Sequence, residues 1–460
     1  MSQQDDGKPR ASRRGFLASV AGTALTASAA AVASPRVAPR SDASSAPRKH
    51  DVEPFFGRHQ GGIATPLQSH TYFASFDLVA TRREDVIALL QAWTAAAARL
   101  SVGQPAQPLD GPFKPVAMPT AAAPAKPKSA DSDDGDGYQV PDPSETAGDS
   151  GDAIDASPAR LTITFGFGPG LFTKDGTDRY GLADKRPAAL VDLPKFAGDQ
   201  LVEAHSGGDL SVQACSDDPQ VTFHAVRQLA RIAGDTVKLR WVQTGFLPDP
   251  GGKLTPRNLM GFKDGTVNPS TKDEKAMASL VWAGDEGPAW MAGGSYMVTR
   301  RIRIALEHWD RTKVAFQEQT IGREKISGAP LGGKHEFDAK NLKAVDKDGN
   351  PVIAETSHIR LAAAESNDGA QILRRGYAYN DGLNFTAERW PPWNQGLEYD
   401  AGLFFIAYQR DPRTGFVKIF EKMAKLDMLN QFVTHVGGGL FAVPPGAAQG
   451  EYIGQKLFTT

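Results

Sequence analysis

The chain has 460 residues, 40% of them hydrophobic, which is more than one hydrophobic core usually organises, so two domains are expected. A formal net charge of -2 and a pI near 6.5 exclude the basic surface that releases counterions from nucleic acid, and with it DNA and RNA as partners. Cys215 is the single cysteine, which excludes an intramolecular disulfide and a cysteine-built zinc or iron–sulfur site.

At the N-terminus, "SRRGFLASVAGTALTASAAAVAS" sets Arg13 and Arg14 before Phe16 and Leu17, then a weakly apolar Ala-rich run and small residues near Ala31, Val32 and Ala33. This resembles a twin-arginine signal over residues 1–33 and implies export in folded form, to the periplasm, the cell envelope or the extracellular space. The run is too short and too weakly hydrophobic to span a membrane, and no later stretch is long enough, so an integral membrane protein is not expected. Residues 34–50 read as a flexible polar linker.

"QSHTYFASFDLVA" then reads as a strand, and "TRREDVIALLQAWTAAAARL" as an amphipathic helix capped by Thr81, with Val86, Leu89, Leu90 and Trp93 on one face. Residues 103–158 are rich in Pro, Ala, Gly, Ser and Asp and too poor in apolar residues to offset the entropy of ordering them, so they read as a disordered or loosely looped insertion. A calcium loop within them is disfavoured because Gly135 and Asp136 break the alternation of ligands. "ARLTITFGFGPGLF" and "GDLSVQACS" read as strands, "DPQVTFHAVRQLARIAG" as a helix and "TVKLRWVQTGF" as a strand.

The second half repeats the order. "GGSYMVTRRIRIAL" is a strand, "EHWDRTKVAFQEQTIG" a helix, "AQILRRGYAY" and "AGLFFIAYQR" strands, "GFVKIFEKMAKLDMLNQFV" a helix and "HVGGGLFAVPP" a closing strand. The fold class is therefore α+β. Two ferredoxin-like βαββαβ halves, 51–250 and 251–460, are expected, with antiparallel sheets covered by helices.

Two clusters could carry chemistry. In "NLMGFKDGTVNPS", residues 258–270, Asp264 and Gly265 suit a tight turn; the alternative is a carboxylate held over a reactive centre. In "ETSHIRLAAAESNDGAQILRRGYAYNDG", His358 precedes Arg360, and Arg374 with Arg375 precedes Tyr377 and Tyr379. A solvent-facing histidine and solvated edge arginines are the bland alternatives, and the histidines show no HExxH or other paired metal spacing.

Taken together, "GFKDGTVNP", "SHIRLA" and "ILRRGYAYNDG", in that order, resemble the dye-decolorizing (DyP-type) haem peroxidase family, and "RRIRIALEHWDRT", "GREKISGAPLG" and "FFIAYQRDPRTGFVKIF" extend the fit over most of the chain outside the insertion. With the signal, the exported deferrochelatase branch linked to iron uptake fits best. The resemblance implies a fold of the dimeric α/β-barrel type, a homodimer, and one haem b in the C-terminal half. It implies His358 as the proximal ligand of the haem iron, Asp264 as the distal acid-base, and Arg374 as a cation stabilising charge as the O–O bond of hydrogen peroxide breaks. Gly265, Thr266 and Val267 would lie against the macrocycle, and Arg360 would meet a propionate. Asp411 in "YQRDPRTG" is the candidate carboxylate behind His358, with a turn role as the alternative. The family commonly follows "HIRLA" with Asn-Pro-Arg, where this chain has Ala363, Ala364 and Glu365, so no propionate contact is carried over there.

The expected activity is oxidation of dyes or other small electron donors by hydrogen peroxide. A site run by a carboxylate favours acidic conditions, because such groups ordinarily titrate near pH 4. Electrons from bulky donors would arrive through surface aromatics, with Tyr377, Tyr379, Trp390 and Trp393 as candidates against an ordinary packing role. The alternative activity is release of iron from haem with the tetrapyrrole intact, with iron-uptake partners in the cell envelope. A non-enzymatic haem carrier is a third reading, and it would not need an acid and an arginine together.

Overall fold

The computed structural model describes residues 51–116, 147–248, 255–387 and 395–459. The signal, the linker, the calcium-loop segment, Trp390 and Trp393 lie outside them. The first half runs β1 (His70–Leu78), α1 (Arg83–Leu100), β2 (Thr162–Phe167), β3 (Leu210–Ser216), α2 (Pro219–Ala233) and β4 (Val237–Phe246). The second runs α3 (Glu274–Leu280), β5 (Ser295–Ile304), α4 (Leu306–Asp310), α5 (Val314–Ile321), α6 (His358–Leu361), β6 (Leu373–Arg374), β7 (Tyr377–Ala387), β8 (Gln395–Gln409), α7 (Lys418–Leu426), β9 (Val433–Val443) and α8 (Gln455–Thr459). Among the described residues no helix is long and apolar enough to cross a membrane.

The strands form one antiparallel sheet in the order β5-β9-β2-β3-β1-β4-β7-β8-β6, and β5 pairs with β8 as well. The sheet therefore closes into a barrel, with β6 on its margin. Each half contributes four strands in the same internal order, β2-β3-β1-β4 and β7-β8-β5-β9. The halves are stitched by the bridges Phe167–Ala442 and Phe246–Ala378. Closure pairs strand edges that would otherwise invite association with another chain.

The two-residue period of the strands then sorts side chains. Tyr377, Tyr379, Phe404, Ile406 and Tyr408 pack with Phe73, Met297 and Phe441 from across the ring in a core inside the barrel. The residues between them, Ala378, Leu403 and Phe405, point outward and line a cavity with Ile302 and Ile304 of β5. Tyr377 and Tyr379 are thus core residues, fully buried, and not surface electron donors.

On the first half, α1 and α2 cover the outer face of the sheet. Val86, Leu89, Leu90 and Trp93 are buried as the periodicity requires, and Trp93 Nε1 donates to Leu229 O at 2.8 Å. Thr81 is not the cap of α1: extended Arg82 precedes the first turn, no side chain caps it, and Arg82 pairs with Asp85 at 2.6 Å instead. Asp218 does cap α2, accepting from Gln220 N at 2.7 Å. The helix expected over 307–322 is two, α4 and α5. Gln317 Nε2 donates to Trp309 O and Thr312 O at the break, which satisfies carbonyls that a continuous helix would have used internally.

The flanks of the insertion, 103–116 and 147–158, are held against α2. Val116 N donates to Ile232 O at 2.9 Å, the Arg231 guanidinium lies 4.0 Å from the Phe113 ring, and Arg231 Nη2 donates to Ala147 O at 2.6 Å. Buried His224 sits between Asp152 at 2.9 Å and Asp149 at 3.4 Å. Burial opposes its charged form, but the two carboxylates outweigh that and raise its pKa, while their own pKa values are lowered, hydrogen bonds including that of His224 overcoming desolvation. A raised histidine contributes stability below its unfolded pKa and loses it as pH rises through the folded value; lowered carboxylates lose theirs as pH falls through their folded values. The clasp should therefore hold between those limits. His224→Gln should remove about 2 kcal/mol, and amide protection factors over 147–157, which are corrected for the base catalysis of exchange itself, should fall toward alkaline pH in the parent protein only. Equal protection factors at pH 6 and pH 9 in the parent would contradict the clasp.

Candidate active site

The segment 258–270 is both a turn and a holder of a carboxylate. Asp264 N donates to Pro256 O at 2.9 Å, and Asn268 N closes a turn on Gly265 O at 3.0 Å. Gly265 has φ +111°, a backbone that side chains rarely tolerate. Asp264 itself accepts from Arg374 Nη1 at 2.6 Å. A second tie fixes that pair. Asn268 accepts from Arg374 N at 3.1 Å and donates through Nδ2 to Arg374 O at 2.7 Å, so the asparagine that reads as loop punctuation clamps the arginine backbone. The neighbouring arginines face opposite ways. Arg374 lines the cavity, whereas Arg375 is buried, with Nη1 on Thr65 O at 2.6 Å and Nη2 on Gln68 Oε1.

His358 opens α6. Its position is fixed from below by α5, whose end turns at Gly322 with φ +91°; a Cβ there would stand 2.6 Å from Ile359 Cγ1. His358 Nδ1 bonds Asp427 Oδ2 at 2.7 Å. Asp427 is 3% exposed and His358 33%, and His358 lines the cavity, with Nε2 lacking a protein partner among the described residues. Burial disfavours the charged imidazole, but Asp427 more than offsets this and raises its pKa, with Arg374 opposing and Asp264 assisting. The two clusters, about a hundred residues apart in the chain, thus act on each other's charge across one cavity of about 480 Å³ lined by Asp264, Arg374 and His358 together.

Asp427 corrects the expectation of Asp411. Asp411 is occupied by Arg413, at 2.6 Å, and caps a turn through Arg413 N, the local role that Asp-Pro favours. Asp427 lay hidden because the run 415–433 reads as one helix. The chain instead ends α7 at Leu426, and Asp427 Oδ1 caps the following 3-10 turn at Leu429 N, 2.9 Å away. An aspartate ahead of a second short turn was the available signal. Arg360 also departs from expectation. It does not line the cavity, and its Nη1 donates to Ile353 O at 2.9 Å, because the single turn of α6 that aims His358 inward turns Arg360 aside. Gly265, Thr266 and Val267 do line the cavity, with Thr266 Oγ1 donating to Glu336 at 3.0 Å. Sequence reasoning missed Arg323, Lys340 and His435, which also line it. His435 is buried among Phe420 and Arg300, and burial, with Arg300 beside it, lowers its pKa to about 3.

The family model described as "Dyp-type peroxidase, N-terminal" matches residues 60–247, and "Dyp-type peroxidase, C-terminal" matches 255–448. Dye-decolorizing peroxidase of Thermobifida fusca (strain YX) is 34% identical over 484 residues, covering 99% of each chain. Deferrochelatase of Escherichia coli (strain K12) is 34% identical over 465 residues, again covering 99% of each. Among solved structures, an X-ray generated oxyferrous complex of DtpA from Streptomyces lividans is 38% identical, with a TM-score of 0.73 over 88% of this chain and 98% of that one. The chain, with its cavity between an imidazole and an aspartate–arginine pair, is a member of the Dyp-type peroxidase family and a haem-dependent enzyme.

Proposed function

We propose that the protein is a haem b peroxidase, one haem per chain, that reduces hydrogen peroxide and oxidises small electron donors. The observation that carries this reading is the single cavity between Asp427-held His358 and the Asp264–Arg374 pair. The residues fit the group. The volume suits a ligand of this size, the walls are largely apolar, and the donor set offers one imidazole nitrogen toward the cavity while the other is fixed by a carboxylate. Bound there, haem would supply an iron centre that reacts with peroxide. His358 would hold the iron through the imidazole nitrogen left to the cavity, and Asp427 would orient the ring and increase its electron donation.

Asp264 would take a proton from one oxygen of peroxide and return one to the oxygen that leaves as water. Arg374, permanently charged and aimed by both Asp264 and Asn268, would stabilise the negative charge that builds on the departing oxygen. Gly265, Thr266 and Val267 line the wall on that side. The same strand order in the two halves supports reading each as a ferredoxin-like unit, and Arg13 and Arg14 support export by the twin-arginine route.

The second reading, release of iron from haem with the tetrapyrrole intact, is supported by the name of the E. coli relative. A direct assay separates the two: purified protein with haem, peroxide and a dye on one arm, haem alone on the other. Dye turnover without accumulation of iron-free protoporphyrin is expected; the reverse pattern would replace the first reading with the second. Asp264→Asn should lower peroxide-dependent turnover by about 10²–10⁴-fold while the Soret band persists. Undiminished turnover in that variant would remove the acid-base role. Asp427→Asn should weaken haem retention or turnover by about 10–100-fold, measured by Soret titration.

A further inference from the structure

A loop of the first half helps to build the cavity wall of the second. The chain between β2 and β3 crosses to β9, where Gln200 N donates to His435 O and Val202 N to Val436 O, both at 2.9 Å. That crossing carries Asp199 to Arg300 of β5. Asp199 Oδ2 lies 3.3 Å from Arg300 Nη1, and the two side chains are 1% and 2% exposed. The rings of Phe196, Phe416 and Phe420 stand 5.2 to 5.8 Å from the guanidinium. Arg300 and Ile302 share a face of β5, Ile302 is paired with His435, and Ile302 and His435 both line the cavity. Phe420 completes the link, its ring 4.6 Å from that of His435. Asp199, Arg300 and His435 thus form a row that starts one residue beneath solvent, since Gly198 and Gln200 are exposed, and ends at the cavity.

Four polar atoms of this row are buried without a protein partner among the described residues: Asp199 Oδ1, Arg300 Nε and Nη2, and His435 Nδ1. A buried polar atom left unpaired costs about 1–3 kcal/mol, so four in one place require a bound partner. The charges say which kind. An anion would meet the Asp199 carboxylate, a cation would meet the Arg300 guanidinium, and the pair already balances itself. A neutral molecule that both donates and accepts is needed, and water is one: it accepts from the guanidinium and donates to the carboxylate. Burial, with Arg300 beside it, keeps His435 uncharged, so one ring nitrogen can take a proton as the other gives one up. Burial also raises the pKa of Asp199 against the pull of Arg300, which makes it a better proton acceptor than an exposed aspartate.

We propose that Asp199, Arg300 and His435 bind ordered water, and that this buried row is a proton path between solvent and the cavity, separate from the Asp264–Arg374 pair. In one passage a proton on Asp199 moves to the bound water, the water gives one to His435 Nδ1, and the second ring nitrogen releases one into the cavity. The imidazole ends neutral in its other tautomer, and Asp199 ends as a carboxylate held by Arg300. One proton has moved and no electron. The path rests on the haem reading only for the use to which that proton is put.

The test follows the ring N–H of His435 by nuclear magnetic resonance. The full chain, with isotope-labelled histidine and loaded with diamagnetic zinc protoporphyrin, carries nine histidines, and His435→Gln identifies the signal. Asp199→Asn and Arg300→Gln are introduced together, so that neither charge is left buried alone. Exchange of the His435 ring proton with solvent should slow by at least about tenfold in the double variant, the scale of one lost hydrogen bond, while the ring of His224 exchanges as in the parent. Equal or faster exchange at His435 would overturn the path. A high-resolution crystal structure of the parent needs no substitution: ordered water should lie within hydrogen-bond reach of Asp199 Oδ1, of Arg300 Nε or Nη2 and of His435 Nδ1. Protein partners at those atoms, or no water at them, would overturn the proposal whatever the variant does. If no porphyrin binds, the haem reading fails, and the same exchange measurement on the porphyrin-free chain still decides the path.

Discussion

The hydrogen bond between His358 and Asp427 is the constraint on which the site depends. One carboxylate ends a helix, starts the next turn and grips an imidazole 69 residues away. The bond fixes which ring nitrogen is engaged within the protein and which is left to the cavity, and it does so in a place where the aspartate is nearly closed to water. A carboxylate at low effective dielectric acts on its partner more strongly than an exposed one. That is why the pKa of the imidazole is raised despite its burial, the same increase in basicity that strengthens a histidine as a metal ligand.

Opposite it, the barrel sets the second half of the constellation. Because the extended chain at β6 and just after it alternates between a closed interior and the cavity, as β7 and β8 do, Arg374 and Arg375 are sent to different environments although they are adjacent. The interior takes the tyrosines and Arg375, and the exterior takes Ala378, Leu403, Phe405 and Arg374. Side chains of intermediate size on the outer face leave room for a ligand where helices would otherwise pack directly on the sheet. Arg374 then meets Asp264 across 110 residues, and Asn268 holds its backbone from the same loop that carries Asp264. Acid, cation and clamp are thus positioned together, which reduces the reorganisation needed as charge develops.

Much of the fold was legible because the barrel strands and the covering helices obey simple periods. The alternation in "QSHTYFASFDLVA" and "AGLFFIAYQR", and the apolar stripe Val86, Leu89, Leu90 and Trp93, follow from elements that bury one face. Breaks inside periodic runs were not legible. The gap between α4 and α5, and the end of α7 before Asp427, depend on side chains that satisfy backbone groups from elsewhere in the chain. The insertion was legible in its composition but not at its flanks, where Arg231 and His224 of α2 hold segments that carry few apolar residues of their own.

The sequence by itself determined the inventory: the Asp264–Gly265 turn, His358 ahead of a short helix, the Arg374–Arg375 pair, and strands and helices in a repeated order, since local spacing and backbone preference are properties of neighbouring residues. Only the tertiary structure decided that Asp264, Arg374 and His358 share a cavity, that Asp427 and not Asp411 stands behind the histidine, and that Arg360 turns away while Arg323 and Lys340 turn in. Those outcomes hang on barrel closure and on hydrogen bonds between segments tens to hundreds of residues apart, and no local pattern encodes the partner at the far end of such a bond.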